Sequence, residues 1–147
     1  MFVVIRLLLG ALFIFSGGEK LLKPMEEFLY VIDGYQALPQ WAEPAVALLF
    51  PWVEFFAGLF ILLGFWLRQA LAVLLLLSAA LALIVGQAIL RHLPLDNCGC
   101  FGELIHLPLH GVILIDLSVI ALSALCLANS TKASRYSLDA FYARPKA

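Results

Sequence analysis

The sequence predicts an all-α integral membrane protein, a four-transmembrane-helix bundle. Three observations predict it. The 147 residues are 64% hydrophobic and only 13% charged, whereas a soluble domain is nearer half apolar and a quarter charged. The apolar residues fall into four blocks, each long enough to cross a hydrocarbon core of about 30 Å as a helix. Charged side chains gather mainly between those blocks and at the chain ends. The reading is one membrane domain over residues 1–128, with spans at about 2–22, 44–67, 69–90 and 108–128. A loop covers 91–107 and a polar tail 129–147. A net charge of -1 gives no reason to expect a nucleic-acid partner.

The first span, Met1 to Leu22, carries Arg6 near its start and Glu19-Lys20 near its end. A single arginine and the run Ser16-Gly17-Gly18-Glu19-Lys20 make a poor cleavable signal, so the span is expected to be retained. Gly10, Gly17 and Gly18 permit close helix contact in lipid. Lys20 stands where a long side chain can snorkel to the headgroups.

Between spans, Lys23-Pro24-Met25-Glu26-Glu27 has the form of a helix start, with proline in the first turn and acids at the positive dipole end. Phe28, Leu29, Tyr30 and Ile32 follow, and Gly34 offers a stop. A short helix lying at the interface is expected, with Tyr30, Tyr35 and Trp41 in the headgroup zone.

In span two, Pro51 should bend the helix or loosen its hydrogen bonds. Glu54 lies about 15 Å along from Pro44, near mid-bilayer. A carboxylate there is costly and is a functional candidate by default. The third span, Gln69 to Leu90, carries no charge and is bracketed by Arg68 and Arg91. Gln87, about one turn from its end, is an interhelical hydrogen bonder or a pocket residue. Pro108 suits the first turn of span four, and Asp116 lies about 12 Å below that end. Cys126 sits near the far end of the same helix, where free cysteine is often a small buried hydrophobe.

The loop 91–107 contains Asn97-Cys98-Gly99-Cys100-Phe101-Gly102. Three cysteines are too few for a disulfide framework, and a tight pair points to redox chemistry or metal binding. Thiols one residue apart can close a small constrained disulfide ring, and constrained disulfides tend to be exchange-prone. Gly99 helps, having no Cβ. A cationic neighbour such as Arg91, His92 or His106 would favour thiolate. The alternative use of the same residues is a zinc or copper(I) site from Cys98, Cys100, His92 and His106, with His110 four residues further on, although Pro108 between the two argues against a regular helix there. A purely structural role is weaker, because so short a loop constrains little of the unfolded chain.

The spans alternate, so both termini share a side with Arg68. That side holds Arg6, Arg68, Lys132, Arg135, Arg144 and Lys146, against Lys20, Lys23 and Arg91 on the other. The basic excess predicts cytoplasmic termini in a bacterial or archaeal inner membrane. The dithiol then faces the periplasm, where disulfides form and exchange. Lys20, Glu54, Gln87 and Asp116 are the candidates for a polar pocket or proton path beneath Cys98 and Cys100.

With Arg6…Leu9-Gly10, Ser16-Gly17 with Lys20-Leu21, Pro51…Glu54…Gly58 and Cys98-Gly99-Cys100-Phe101-Gly102, the chain resembles the MauE/DoxX family of redox-associated four-helix membrane proteins. The resemblance runs over all four spans. It implies that Cys98 and Cys100 are the redox pair and that a thioredoxin-like or other periplasmic dithiol protein is the partner. A broader likeness is to four-helix thiol oxidoreductases that pass electrons to quinone. This chain has one outer cysteine pair where those have two, so either the pair trades electrons directly with a quinone or a partner supplies the second dithiol. The expected activity is thiol–disulfide exchange. The alternatives are metal handling, or a non-catalytic anchor for a soluble oxidoreductase.

Overall fold

The computed structural model describes residues 2–92 and 109–129, and among them the chain is helical and has no strand. The order is α1 (Phe2–Leu22), α2 (Met25–Tyr35), α3 (Glu43–Leu63), α4 (Leu67–Leu90) and α5 (Leu109–Ala128). Four of these, all but α2, are long and apolar enough to cross a membrane. The protein is therefore a multi-pass membrane protein built as a helical bundle. Cys98, Cys100, His106 and the tail lie outside the described residues.

The helix ends have local causes. Pro24 precedes α2 in an extended conformation, and Glu26 and Glu27 occupy the first turn. The helix runs past Gly34 to Tyr35 and stops where Gln36 turns left-handed, its N–H donating to the Asp33 carbonyl. Span two ends at Leu63, short of the Leu67 expected from hydropathy. Gly64 takes φ 69°, and the N–H groups of Gly64 and Phe65 cap the carbonyls of Ile61 and Phe60. Glycine tolerates that backbone, and a left-handed residue after the last turn is a common helix stop. Trp66 is also left-handed, so the reversal lies at residues 64–66 and Arg68 belongs to the first turn of α4. Pro51 withholds a backbone donor from its own helix, yet α3 continues through it.

Helix α1 packs most extensively on α3, and α4 on α5, while α2 leans on α3 and touches α1 and α4. The α1–α3 contact is backbone on backbone. A Cβ added at Gly58 would stand 2.7 Å from the Ile14 nitrogen, and one at Gly17 would stand 2.7 Å from the Phe55 nitrogen. At Gly10 it would lie 2.9 Å from the Leu62 nitrogen and 3.0 Å from the Gly58 oxygen. No side chain larger than hydrogen fits this seam, which is how small residues bring helices together in lipid. The pairing is antiparallel: Gly10 faces Gly58 and Leu62, and Gly17, further along α1, faces Phe55.

Two apolar clusters fill the interior. The larger joins Leu9, Phe13, Ile61, Leu67, Ala70, Leu71, Leu74, Val119 and Cys126. The smaller joins Tyr35 with Val85, Ala88 and Val112. The second cluster ties α2 to the end of α4 and the start of α5, the two helix ends that bracket residues 93–108. Tyr35 is thus packed inside the bundle, 7% exposed. Tyr30 and Trp41 are exposed. Tyr35 differs because it ends α2 on the side that packs against Val85, Ala88 and Val112.

Candidate functional site

The buried face of α1 reads Arg6, Leu9, Gly10, Phe13, Ser16, Gly17 and Lys20, steps of three and four that keep one stripe inward. On α3 the matching stripe is Glu43, Ala47, Pro51, Glu54, Ala57, Gly58 and Ile61. The glycine seam sets the register of the two stripes, and that register brings Ser16 and Lys20 against Glu54.

The contact is complete on both carboxylate oxygens. Lys20 Nζ donates to Glu54 Oε2 at 2.8 Å, and Ser16 Oγ donates to Glu54 Oε1 at 2.8 Å. Lys20 Nζ also donates to Ser16 Oγ at 2.9 Å. Lys20 is 7% exposed and Glu54 2%. The lysine therefore does not snorkel. Its ammonium is held inside by a counter-charge, a hydroxyl and two aromatic faces, Phe28 at 5.7 Å and Phe50 at 5.8 Å from their ring centres. Those rings lie 5.9 Å apart, and a cation within about 6 Å of an aromatic face is attracted to it. Phe28 comes from α2, so that short helix helps close the site.

Asp116 of α5 is another buried acid, 6% exposed, with Oδ2 lacking any hydrogen-bond partner among the described residues, and Glu43 at the start of α3 is a third. Asp116 lies within electrostatic reach of Glu54 and Lys20, and of Tyr35. Burial, and secondarily the Asp116 charge, push the Tyr35 phenol up to about 12. Gln87 is only half-buried and makes no side-chain hydrogen bond among the described residues. Of the four candidate pocket residues, the fold joins Lys20 to Glu54, sets Asp116 nearby, and leaves Gln87 apart. Sequence reasoning missed two contributors. Ser16 was readable as the residue one helical turn before Lys20. Tyr35 carried no signal distinguishing it from Tyr30.

Of the four residues of the metal alternative, only His92 lies among the described residues. Among the described residues no group of three or more histidine, cysteine or acidic side chains converges as a metal site. His92 is exposed with φ 51° at the end of α4, while Cys98, Cys100 and His106 lie outside the described residues. Cys126 is fully buried at the opposite end of the bundle, in the larger apolar cluster.

Four apolar helices with buried charged side chains among them define a polytopic membrane protein with a charged interior. The chain belongs to the MauE family: the family model described as Methylamine utilisation protein MauE matches residues 1–129. No curated protein and no solved structure matches the chain significantly. The family match takes in all five helices and the Cys-Gly-Cys stretch between α4 and α5.

Proposed function

We propose that this chain is a membrane thiol–disulfide redox protein in which Cys98 and Cys100 exchange disulfides with a thioredoxin-like or substrate protein on the periplasmic side of an inner membrane. One cysteine thiolate attacks the partner disulfide, forming a mixed disulfide and releasing one partner thiolate. The second cysteine then displaces the partner's remaining sulfur, leaving a Cys98–Cys100 disulfide and a partner dithiol. The reverse sequence oxidises the partner. No other reactant is consumed. Membership of the MauE family supports the membrane setting, and a quinone in the bilayer is the acceptor class that suits a chain with a single outer dithiol.

The observation that carries the reading is the Ser16–Lys20–Glu54 cluster with Asp116, buried inside the bundle. A passive anchor has no use for two buried acids and a buried amine, since apolar residues of similar volume are often at least as stable. Charged groups retained inside a membrane bundle usually serve ions or protons, and dithiol chemistry moves protons.

The test is alkylation of the purified protein with and without reductant and chelator, with the cysteines mapped by mass. A reversible Cys98–Cys100 disulfide is expected, together with a mixed disulfide to the partner that accumulates in one of Cys98→Ser and Cys100→Ser. Thiols that stay protected until chelation would overturn the reading in favour of metal. Serine variants that retain full activity would overturn it in favour of an anchor.

A further inference from the structure

We propose that the cleft between α1 and α5 is a binding site for one acyl chain of a membrane phospholipid, in the leaflet at the end of the bundle where α1 begins and α5 ends.

The helices share the interior unevenly. Helix α1 packs extensively on α3, and α4 on α5, whereas α1 and α5 touch only lightly. Between those two lies a cleft of about 420 Å3. Its floor is the core itself: Leu9 and Val119 are 3% and 4% exposed. Its lips are Leu8 and Leu114, each 65% exposed. Ile5 and Leu12 continue the α1 wall, and Leu122 the α5 wall. Both helices are long and apolar enough to cross a membrane, so the cleft opens sideways into hydrocarbon. Its lining begins at Ile5, ~5 Å from the start of α1, and reaches Leu122, ~9 Å from the end of α5. The wall from Leu114 to Leu122 is ~12 Å long, within the ~15 Å that one leaflet contributes to the hydrocarbon core.

The chemistry of the lining selects the occupant. In lipid no hydrophobic effect fills a cleft; the gain is the dispersion contact that a wall without a neighbour forfeits. Helices associate there through small residues and interhelical hydrogen bonds, as Gly10, Gly17 and Gly58 do in the α1–α3 seam. The cleft has no glycine or alanine in its lining. Its one polar residue, Ser118, donates its hydroxyl to the Leu114 carbonyl of its own helix at 2.7 Å. A partner helix would find neither means of attachment, whereas a flexible unbranched chain needs neither and can follow the uneven leucine and isoleucine surface. The sequence after α5 carries Lys132, Arg135, Asp139, Arg144 and Lys146, charges that suit no hydrocarbon cleft. An acyl chain seated here bridges the two tightly packed pairs on the side where protein contact is slight.

The site is independent of the dithiol chemistry, and its test does not use that chemistry. The full chain is equilibrated with palmitoyl-oleoyl phosphatidylcholine, moved into lipid-free detergent and weighed by native mass spectrometry. One phospholipid per chain is expected to stay bound once loosely held lipid is stripped. Ser118→Phe, which puts a ring into the cleft, should lower that occupancy on the order of tenfold, as overpacking a filled site does. Ser118→Ala, which leaves the space, should retain the lipid. So should Leu83→Phe, at a position outside the cleft that is 75% exposed. If Ser118→Phe does not fold, Leu8→Trp is the filling variant. The melting temperature should rise with added phospholipid in the unmodified chain and stay level in the filled variant, since a ligand of the folded state stabilises it by mass action. A chain that emerges without phospholipid, or a folded Ser118→Phe protein that holds as much as the unmodified chain, overturns the site. A lipid-free dimer that Ser118→Phe dissociates overturns it in favour of a second copy.

Discussion

The Lys20–Glu54 pair makes the sharpest energetic prediction. At 2.8 Å two unit charges attract with about 6 kcal/mol at an effective dielectric of ~20. Removing both from water costs several kcal/mol per ion, so the net worth of the intact pair is small. Breaking it is different, because the survivor keeps its desolvation cost and loses its counter-charge. Lys20→Met and Glu54→Leu should each destabilise the bundle by about 3–5 kcal/mol. The double variant should recover most of that and fall within about 1–2 kcal/mol of the unmodified chain, since apolar side chains of like volume are tolerated in such places. The interaction energy between the two sites should then exceed roughly 2 kcal/mol, well above the few tenths expected of independent positions. Equilibrium unfolding in mixed micelles, followed by far-ultraviolet circular dichroism and tryptophan fluorescence, measures all four proteins. Additive losses in the double variant would refute the contact, and with it the α1–α3 register from which the site is built.

Three further predictions follow from single features. Gly58→Ala places a Cβ 2.7 Å from the Ile14 backbone nitrogen, whereas Gly18→Ala meets only the Phe55 ring at 3.8 Å; in the same unfolding assay the first should lose about 1–3 kcal/mol and the second almost nothing. Tyr35, one of four tyrosines, should titrate last in an alkaline absorbance titration, near the value of about 12 that burial and then Asp116 impose, and Tyr35→Phe should delete that late step. Because its folded value is raised above the ordinary ~10, the neutral phenol's contribution to stability is present below pH ~10 and is lost as pH climbs toward 12. Cys126, fully buried, should resist alkylation in the folded protein and react on denaturation, and Cys126→Ala should cost roughly 1 kcal/mol as a small cavity.

The bundle was legible because lipid imposes a simple demand: each crossing must be a long apolar helix. Glu54 was legible for the same reason, as an acid that such a helix would otherwise exclude. Lys20 was half legible. Its place near a helix end fits snorkelling as well as burial, and only the position of Glu54 across the seam decides between them. That position depends on which glycines meet, Gly10 with Gly58 and Gly17 with Phe55, and one helix's pattern does not reveal another's register. Tyr35 was illegible because it belongs to a short helix whose tilt is set by contacts with Val85, Ala88 and Val112. The α3–α4 reversal was misplaced because hydropathy runs on through Phe65, Trp66 and Leu67, whereas the backbone turns at Gly64.

What remains is why the ion pair exists, since the α1–α3 contact does not need it. Gly10, Gly17 and Gly58 already hold the two backbones at closest approach, and packing of that kind is what associates helices in lipid. A pair that adds little net stability but fixes an ammonium and a carboxylate inside the bundle sets the local field, and Asp116 sits in that field. Fully occupied hydrogen bonds make Glu54 and Lys20 poor proton carriers, because moving a proton between them and any third group means breaking contacts of 2.8 Å. Asp116, with one oxygen unbound, has no such barrier. The division of labour is then a fixed pair that sets the field and a less constrained acid that sits in it. It predicts a separation that stability alone cannot produce: Lys20→Met/Glu54→Leu should fold yet lose disulfide exchange, measured as the rate at which the Cys98–Cys100 pair is reoxidised in membranes. Full exchange activity in that folded variant would mean the pair is packing and nothing more.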